Sequence, residues 1–422
     1  MAKAGGAPLD PMLKVLAERE DELVAFARHL IATPSPNPPG DERAVADAVV
    51  SELDRLGITD VETVGAEAHR PNVVATVGSS SAGHSLILSG HLDTKPAGDL
   101  TAWHTDPWDP VVADGELVGL GSGDMKAAVA AMVYAAAAVA EAGIDSGQLR
   151  LVFTADEEAG SILGSKWLAE HGHLAADAAV IGEPSGITDE WESLHLVSRG
   201  AALFKVRVRG TQMHSSVTDR LPSINATVKM AELISRMSTE LKSALTYRGH
   251  PLGGLGPTVN VGVMVSGGVY YGVCPGEAEF ACDVRTLPGM QRDEFERDVR
   301  RFLEQAMSDD PDLHAELDLE VWVPATEIGP EEAIVGALQR AATDVLGRPP
   351  RLDAFPGATD APHFQLGAGI PTVAAFGPGL LPRAHSPNES LALASVGQAA
   401  RIYALASADF LTRSADHGRT DD

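Results

Sequence analysis

The order in which β-rich and helical runs follow one another constrains this chain more than any other feature. "RAVADAVVSELDRLG" (43–57) sets Val45, Val49, Leu53 and Leu56 on one helical stripe, and Gly57 stops it. "NVVATVG" (72–78), "SLILSG" (85–90), "LRLVFTA" (149–155) and "AAVIGEP" (178–184) read as strands, with helical stretches at 125–142 and 162–171. That alternation specifies an α/β sheet with parallel strands. Near Arg199 the style changes. "GAALFKVRVRG" (200–210) alternates like a half-exposed strand, and "PSINATVKMAELISRM" (222–237) is an amphipathic helix. Strands at 258–268 and 277–287, a helix at 292–307 and a strand at 314–324 complete β-α-β-β-α-β, the split ferredoxin-like order. The first style then resumes with a helix at 331–346 and the strand "PTVAAFG" (371–377). At 422 residues the chain is too long for one ordinary core. The expected organisation is a discontinuous α/β domain, residues 1–198 and 323–422, interrupted by a small α+β domain at 199–322. The polar tail "RSADHGRTDD" is expected to fray.

Composition narrows the function classes. A net charge of -27 excludes a nucleic-acid surface, which needs clustered Lys and Arg. Two cysteines, Cys274 and Cys282, make no disulfide framework and lack zinc-finger spacing, so a reducing, cytoplasmic setting is expected. "MAKAGGAPLDPMLKVLAERE" has no apolar signal region. The run Ala127–Ala140 is too short and too rich in Ala for a bilayer, so it reads as a buried helix and no membrane partner is expected.

The charged residues fall where strands give way to loops. His91 and Asp93 follow "SLILSG"; Asp124 follows the glycine-rich "GLGSG"; Glu157 and Glu158 follow "LRLVFTAD"; Glu183 follows "AAVIG"; His385 lies beyond "PTVAAFG". In open α/β sheets the crevice outside the carboxyl ends of the strands binds ligands. Clustered carboxylates repel one another and lose hydration there unless a cation neutralises them. Two imidazoles among them favour zinc, cobalt or manganese over calcium or magnesium. The carboxylates outnumber what one tetrahedral ion needs, which suggests two ions sharing a bridge.

Taken singly, these features have plainer readings. A lone His-x-Asp is usually a surface hydrogen-bonded pair, a lone Glu-Glu a solvated helix start, and "RAHSPNE" a polar turn. His104, His363 and Trp103 read as structural. Gly119, Gly121 and Gly123 give G-x-G-x-G, but the last fingerprint position holds Asp124, whose charge would repel a pyrophosphate.

Eight motifs in order, "SGHLDTKP", "GLGSGDMKAA", "TADEEAGS", "IGEPS", "SRG…MHSS", "CDVRTLPG", "PGATDA" and "RAHSPNE", resemble the dinuclear zinc metallopeptidase and deacylase family of acetylornithine deacetylase, succinyl-diaminopimelate desuccinylase, aminoacylase and glutamate carboxypeptidase. The resemblance implies a zinc-exopeptidase-like, three-layer α/β/α catalytic domain with an inserted ferredoxin-like dimerisation or lid domain. It implies two divalent ions, zinc with cobalt or manganese as alternatives. His91 and Glu183 would bind one, Glu158 and His385 the other, with Asp124 bridging. Glu157 would be the general base and Asp93 the carboxylate that orients the His91 ring. Glu157 and Glu158 are expected in extended chain, where neighbours point to opposite sides. His214 would reach across a homodimer to a tetrahedral oxyanion, and Arg199, Asn260 and Arg285 would surround a substrate carboxylate. "PGATDA" has Ala358 where the family has a second glycine, leaving Gly357 and Thr359 as substrate contacts. The implied activity is amide hydrolysis of N-acyl amino acids or small peptides. The alternatives are a dipeptidase or carboxypeptidase of the family, or a non-catalytic ligand-binding relative. Lys95, where an apolar residue is common, is expected to favour an anionic acyl group such as succinyl.

Overall fold

The computed structural model describes residues 9–412 apart from 80–82, 144–145 and 253–255; the tail 413–422, expected to fray, lies outside the described residues. Ser198–Thr326 with Pro356–Ala358 forms one compact unit, and the rest of the chain forms another.

The larger unit is built on a six-stranded sheet in the order Val61–Val64, Asn72–Ser79, Gly147–Thr154, Ser85–His91, Ala178–Ile181, Thr372–Val373. Ser85–His91 runs parallel to both its neighbours, and every residue of it except Ser85 is buried. That fits the near-continuous apolar run of a strand covered on both faces. The sheet is mixed rather than parallel throughout, because Asn72–Ser79 lies antiparallel to Gly147–Thr154. Only a short link joins Asn72–Ser79 to Ser85–His91, too little chain for the crossover that parallel strands need. The expected strand at 178–184 stops at Ile181, and the chain pairs again as Pro184–Gly186 with Gly377–Leu380. A side chain at Gly377 would meet the Gly182 carbonyl oxygen at 1.9 Å, so only glycine permits this approach.

Helix Ala127–Ala142 is buried from Ala127 through Val139 and packs against Glu20–Ile31 and Leu393–Leu411. Together with its lead-in, Ser122–Ala142 is long and apolar enough to cross a membrane, yet 83% of the apolar window is buried inside the protein. Leu9–Glu18, Glu20–Ile31 and Leu393–Leu411 are helices outside the segments read from the sequence.

In the smaller unit the strands Thr258–Gly267, Glu277–Thr286, Gly200–Arg209 and His314–Val323 form an antiparallel sheet in that order. Ala202, Phe204, Val206 and Val208 enter its core, where they meet Met230, Leu233, Met237 and Leu241 of helix Ala226–Ala244. That helix begins at 226, not 222, because the Asn225 carboxamide oxygen accepts from the backbone N–H of Thr227 (3.1 Å) and Val228 (3.2 Å). Leu241 extends the apolar stripe beyond the expected end at 237.

Candidate metal centre and catalytic site

Strand register gathers the donors at one edge of the larger unit's sheet. His91 ends its strand opposite Thr154, so Glu157 and Glu158 emerge from the adjacent parallel strand at the same edge. Ser89 pairs with Ile181, which places Glu183 just past the next strand. Asp124 sits in the turn Ser122–Lys126 before helix Ala127–Ala142. His385 occupies a left-handed position (φ 58) after Leu381–Arg383. A non-glycine residue held there is a mark of a functional segment.

The structure brings these side chains into two groups, His91–Asp124–Glu183 and Asp124–Glu158–His385, with the ligand atoms of each group all within 4.8 Å of one another. Asp124 belongs to both. Its Oδ1 lies 2.9 Å from His91 Nε2, and its Oδ2 lies 3.1 Å from His385 Nε2. Glu183 Oε1 is 3.7 Å from His91 Nε2, and Glu158 Oε1 is 3.0 Å from His385 Nε2.

The electrostatics ask for positive charge. Burial, with the charges of Asp360, Glu158 and Asp124, pushes Glu157 well above the usual carboxylate range. Burial, with Asp124 beside it, does the same to Glu183. Although burial opposes charge on their rings, hydrogen bonds to carboxylates hold His91 well above its ordinary value and raise His385 to about 10. Asp124 is driven far below its ordinary value, because bonds from His385 and His91 outweigh its burial. Two imidazoles and a shared carboxylate, ringed by acids that repel one another, fit a pair of divalent transition-metal ions.

Asp93 behaves differently from expectation. Its carboxylate Oδ1 is 3.5 Å from His91 Nδ1, while its backbone carbonyl is closer to that nitrogen, at 3.0 Å. The carboxylate instead accepts from the backbone N–H of Glu157 (3.2 Å) and Glu158 (3.1 Å) and from the Asn37 amide (2.8 Å). Asp93 thus fixes the acidic turn as well as the ring. That turn, Glu157–Ala159, is one helical turn and not extended chain, because Asp156 before it takes φ 64. The two glutamates still diverge. Glu158 pairs with His385 and Lys95, whereas the Glu157 carboxylate has no hydrogen-bond partner among the described residues.

Sequence reading missed the residues that hold this turn. Asp156 accepts from Arg70 (3.0 Å), Asn37 (3.1 Å) and Leu163 N–H (3.1 Å), and buried Arg70 also forks onto Glu42 at 2.6 and 2.7 Å. Asp360 accepts from the hydroxyls of Thr154, Ser161 and Ser165. Glu389 accepts three backbone N–H bonds around Asp124, and burial followed by the Asp124 charge pushes it up to about 8. Lys126 is buried and brought down to about 7, its ammonium donating to the Thr33 carbonyl. A signal existed for some of these: Asp156 and Glu389 lie inside quoted motifs. Asn37, Glu42 and Arg70 come from a remote segment that carries none. Lys95 is engaged by Glu158 Oε2 at 3.1 Å, so it does not stand free for an anionic acyl group.

Within the smaller unit, register draws three expected residues together. Arg285 lies opposite both Ala201 and Thr258, and Asn260 lies opposite Asp283. Asp283 already neutralises Arg285, with Nε–Oδ1 at 2.9 Å. Buried Arg199 donates to the Thr258 hydroxyl, and its Nε has no partner among the described residues. Burial, with Arg285 nearby, lowers its pKa. His214 is exposed, and its Nδ1 accepts from Ser216 N–H at 3.2 Å. The Ser216 hydroxyl lies 2.8 Å from the same Nδ1, so this side of the ring is held by Ser216. Gly357 is half-buried and falls with the smaller unit. Thr359 is buried in the larger unit, and its hydroxyl accepts from Ala361 N–H at 3.2 Å.

Against this geometry the likenesses to known proteins are consistent. Residues 87–409 match peptidase family M20/M25/M40. The acetylornithine deacetylase of Proteus mirabilis is 28% identical over 384 residues, covering 88% of this chain and 92% of that protein. Human carnosine dipeptidase 1 has a similar fold, with a TM-score of 0.75 at 18% identity over 97% of this chain and 100% of that one. So does a dinuclear metal-binding peptidase of the M20 family from Bacillus subtilis, at a TM-score of 0.64 and 16% identity over 94% and 99%.

Proposed function

The chain belongs to peptidase family M20/M25/M40, a family of hydrolases of amide and peptide bonds, and from that premise we propose a two-metal deacylase of N-acyl amino acids. The observation that carries it is the pair of donor groups joined through Asp124. His91, Asp124 and Glu183 would hold one ion, and Asp124, Glu158 and His385 the other, with zinc preferred and cobalt or manganese as substitutes. Bound there, the ions would supply Lewis acidity and acidify water.

Glu157 is the general base: it lies beside both groups, its carboxylate is not taken by a histidine, and burial with the neighbouring acids raises its affinity for a proton. It removes a proton from the attacking water and later delivers that proton to the leaving nitrogen. Asp93 keeps it aimed through the turn N–H bonds. His214, whose Nδ1 is held by Ser216, would turn Nε2 toward the oxyanion of the tetrahedral intermediate. Arg199, whose buried Nε has no partner among the described residues, supports recognition of a substrate carboxylate, with Asn260 and Arg285 beside it, Arg285 being paired with Asp283. Gly357 and Thr359 would line the substrate backbone.

The coverage of an acetylornithine deacetylase along 88% of the chain favours deacylation over exopeptidase action. A homodimer through the inserted unit is supported by the edge strand Thr258–Gly267, where Val263, Met264 and Val265 are more than half exposed. Two free buried cysteines support a reducing compartment.

A panel of N-acyl amino acids and dipeptides, assayed with zinc, cobalt or manganese by mass spectrometry, tests the reading. Glu157→Gln should retain both ions and lose about 10²- to 10⁴-fold in turnover. Unchanged turnover refutes the base, dipeptide cleavage alone moves the assignment to an exopeptidase, and silence across the panel favours a ligand-binding relative.

A further inference from the structure

The segment that carries His385 also carries Glu389, and the two ends of this short segment reach different parts of the same centre. His385 Nε2 faces Asp124 Oδ2 at 3.1 Å. Glu389 is 1% exposed and turns its carboxylate onto the backbone that presents Asp124. Oε2 accepts from Gly121 N–H at 3.1 Å, and Oε1 accepts from Gly123 N–H at 2.9 Å and Asp124 N–H at 3.0 Å. The Glu389 carbonyl takes Gly119 N–H at 2.9 Å, so the same residue closes both ends of the glycine turn. Asn388 anchors the segment from outside, accepting from His104 N–H at 2.7 Å and donating to the Ala102 carbonyl at 3.0 Å.

A carboxylate buried this deeply costs several kcal/mol of hydration unless its lone pairs are filled. No ammonium or guanidinium hydrogen-bonds Glu389 among the described residues; its partners are the N–H groups of one turn. A main-chain turn with glycine at every second position, Gly119, Gly121 and Gly123, has little stiffness of its own. Asp124 must nevertheless present one oxygen to each side of the centre.

We propose that Glu389 is a positioning residue that sets the backbone of the shared ligand Asp124 and couples it to His385, so that its loss weakens both ion sites together. This rests on the two-ion reading above. The alternative is a plain packing role, in which Glu389 only satisfies three buried N–H groups and its loss lowers stability without altering ion binding.

Metal-free full-length protein titrated calorimetrically with cobalt(II) separates these. The wild type should take up two ions. Glu389→Gln replaces Oε2 with a donor facing the Gly121 N–H, and should weaken both ions by about 10- to 100-fold, the usual cost of removing a group that orients a ligand. The melting midpoint of its metal-free form should shift little. A lowered midpoint with both affinities at the wild-type level overturns the proposal, and so does weakening confined to one ion. Glu389→Asp keeps the carboxyl group but shortens the reach, and provides the same comparison should the glutamine variant not fold; wild-type affinity in it is equally fatal. If the wild type binds fewer than two ions, the two-ion reading fails and this inference falls with it. If the wild type binds two ions and the variants match it, only the inference fails.

Discussion

The two halves of the candidate metal centre share a ligand but live in different surroundings. His91 has 1% of its side chain exposed and Glu183 6%, whereas His385 has 45% exposed. The His91 half hangs from the central strands of a sheet covered on both faces. The His385 half is closed by a turn and carries a competing cation, Lys95, against Glu158. Charge interactions strengthen as water is excluded. The charges of the His91 half therefore interact more strongly than those at the exposed His385 ring.

Asp124→Ala tests whether the halves are joined. It should remove both ions at once and cut hydrolysis at least about a thousandfold, the several kcal/mol that metal ions contribute to stabilising developing charge. One full equivalent of metal remaining, by elemental analysis, would show the halves to be independent. Arg70→Ala probes the footing of the open half, since Arg70 is the cation between Glu42 and Asp156 under the acidic turn. Leaving those carboxylates buried and unpaired should cost about 3–5 kcal/mol in a urea titration. A change below 1 kcal/mol would mean the turn stands without it. Asp93→Ala removes the carboxylate that accepts from the Glu157 and Glu158 N–H groups and lies 3.5 Å from the His91 ring, while its backbone carbonyl against that ring remains. A loss of about 10- to 100-fold in metal affinity or turnover is expected, with both halves affected. The smallest effect is the most selective. Lys95→Met should tighten the open-half ion about two- to fivefold by removing a partly exposed ion pair, and leave the buried-half ion as it was. Equal tightening of both ions would erase the contrast.

Much of the site was legible because each donor stands at the end of a patterned segment. His91, Glu157, Glu158 and Glu183 follow strands whose apolar runs are readable, and Asp124 follows a glycine-rich turn before an apolar helix. The ferredoxin-like order was legible for the same reason. Direction was not: "NVVATVG" has the composition of a parallel strand yet runs antiparallel to Gly147–Thr154, and nothing in a period-2 pattern encodes polarity. Helix Glu20–Ile31 lies outside the segments read from the sequence, although Leu23, Phe26, Ala27, Leu30 and Ile31 form a buried amphipathic stripe along it. The support of the acidic turn was invisible for a deeper reason. Arg70 and Asn37 are polar residues in unremarkable loops, and their role exists only where folding sets them against Asp156.

The sequence by itself determined which residue types were available at the strand ends, the alternation that makes a sheet of them, and the change of style near Arg199. These follow from local periodicity and residue chemistry, which survive in a linear string. Only the tertiary structure decided that Asp124 turns one oxygen to each histidine, that the Asp93 carboxylate serves the Glu157–Glu158 turn, and that Glu389 grips the glycine turn from 265 residues away. A buried carboxylate bonds to whichever donors lie within reach at the right angle, and reach in space is what the order of residues along a chain does not record.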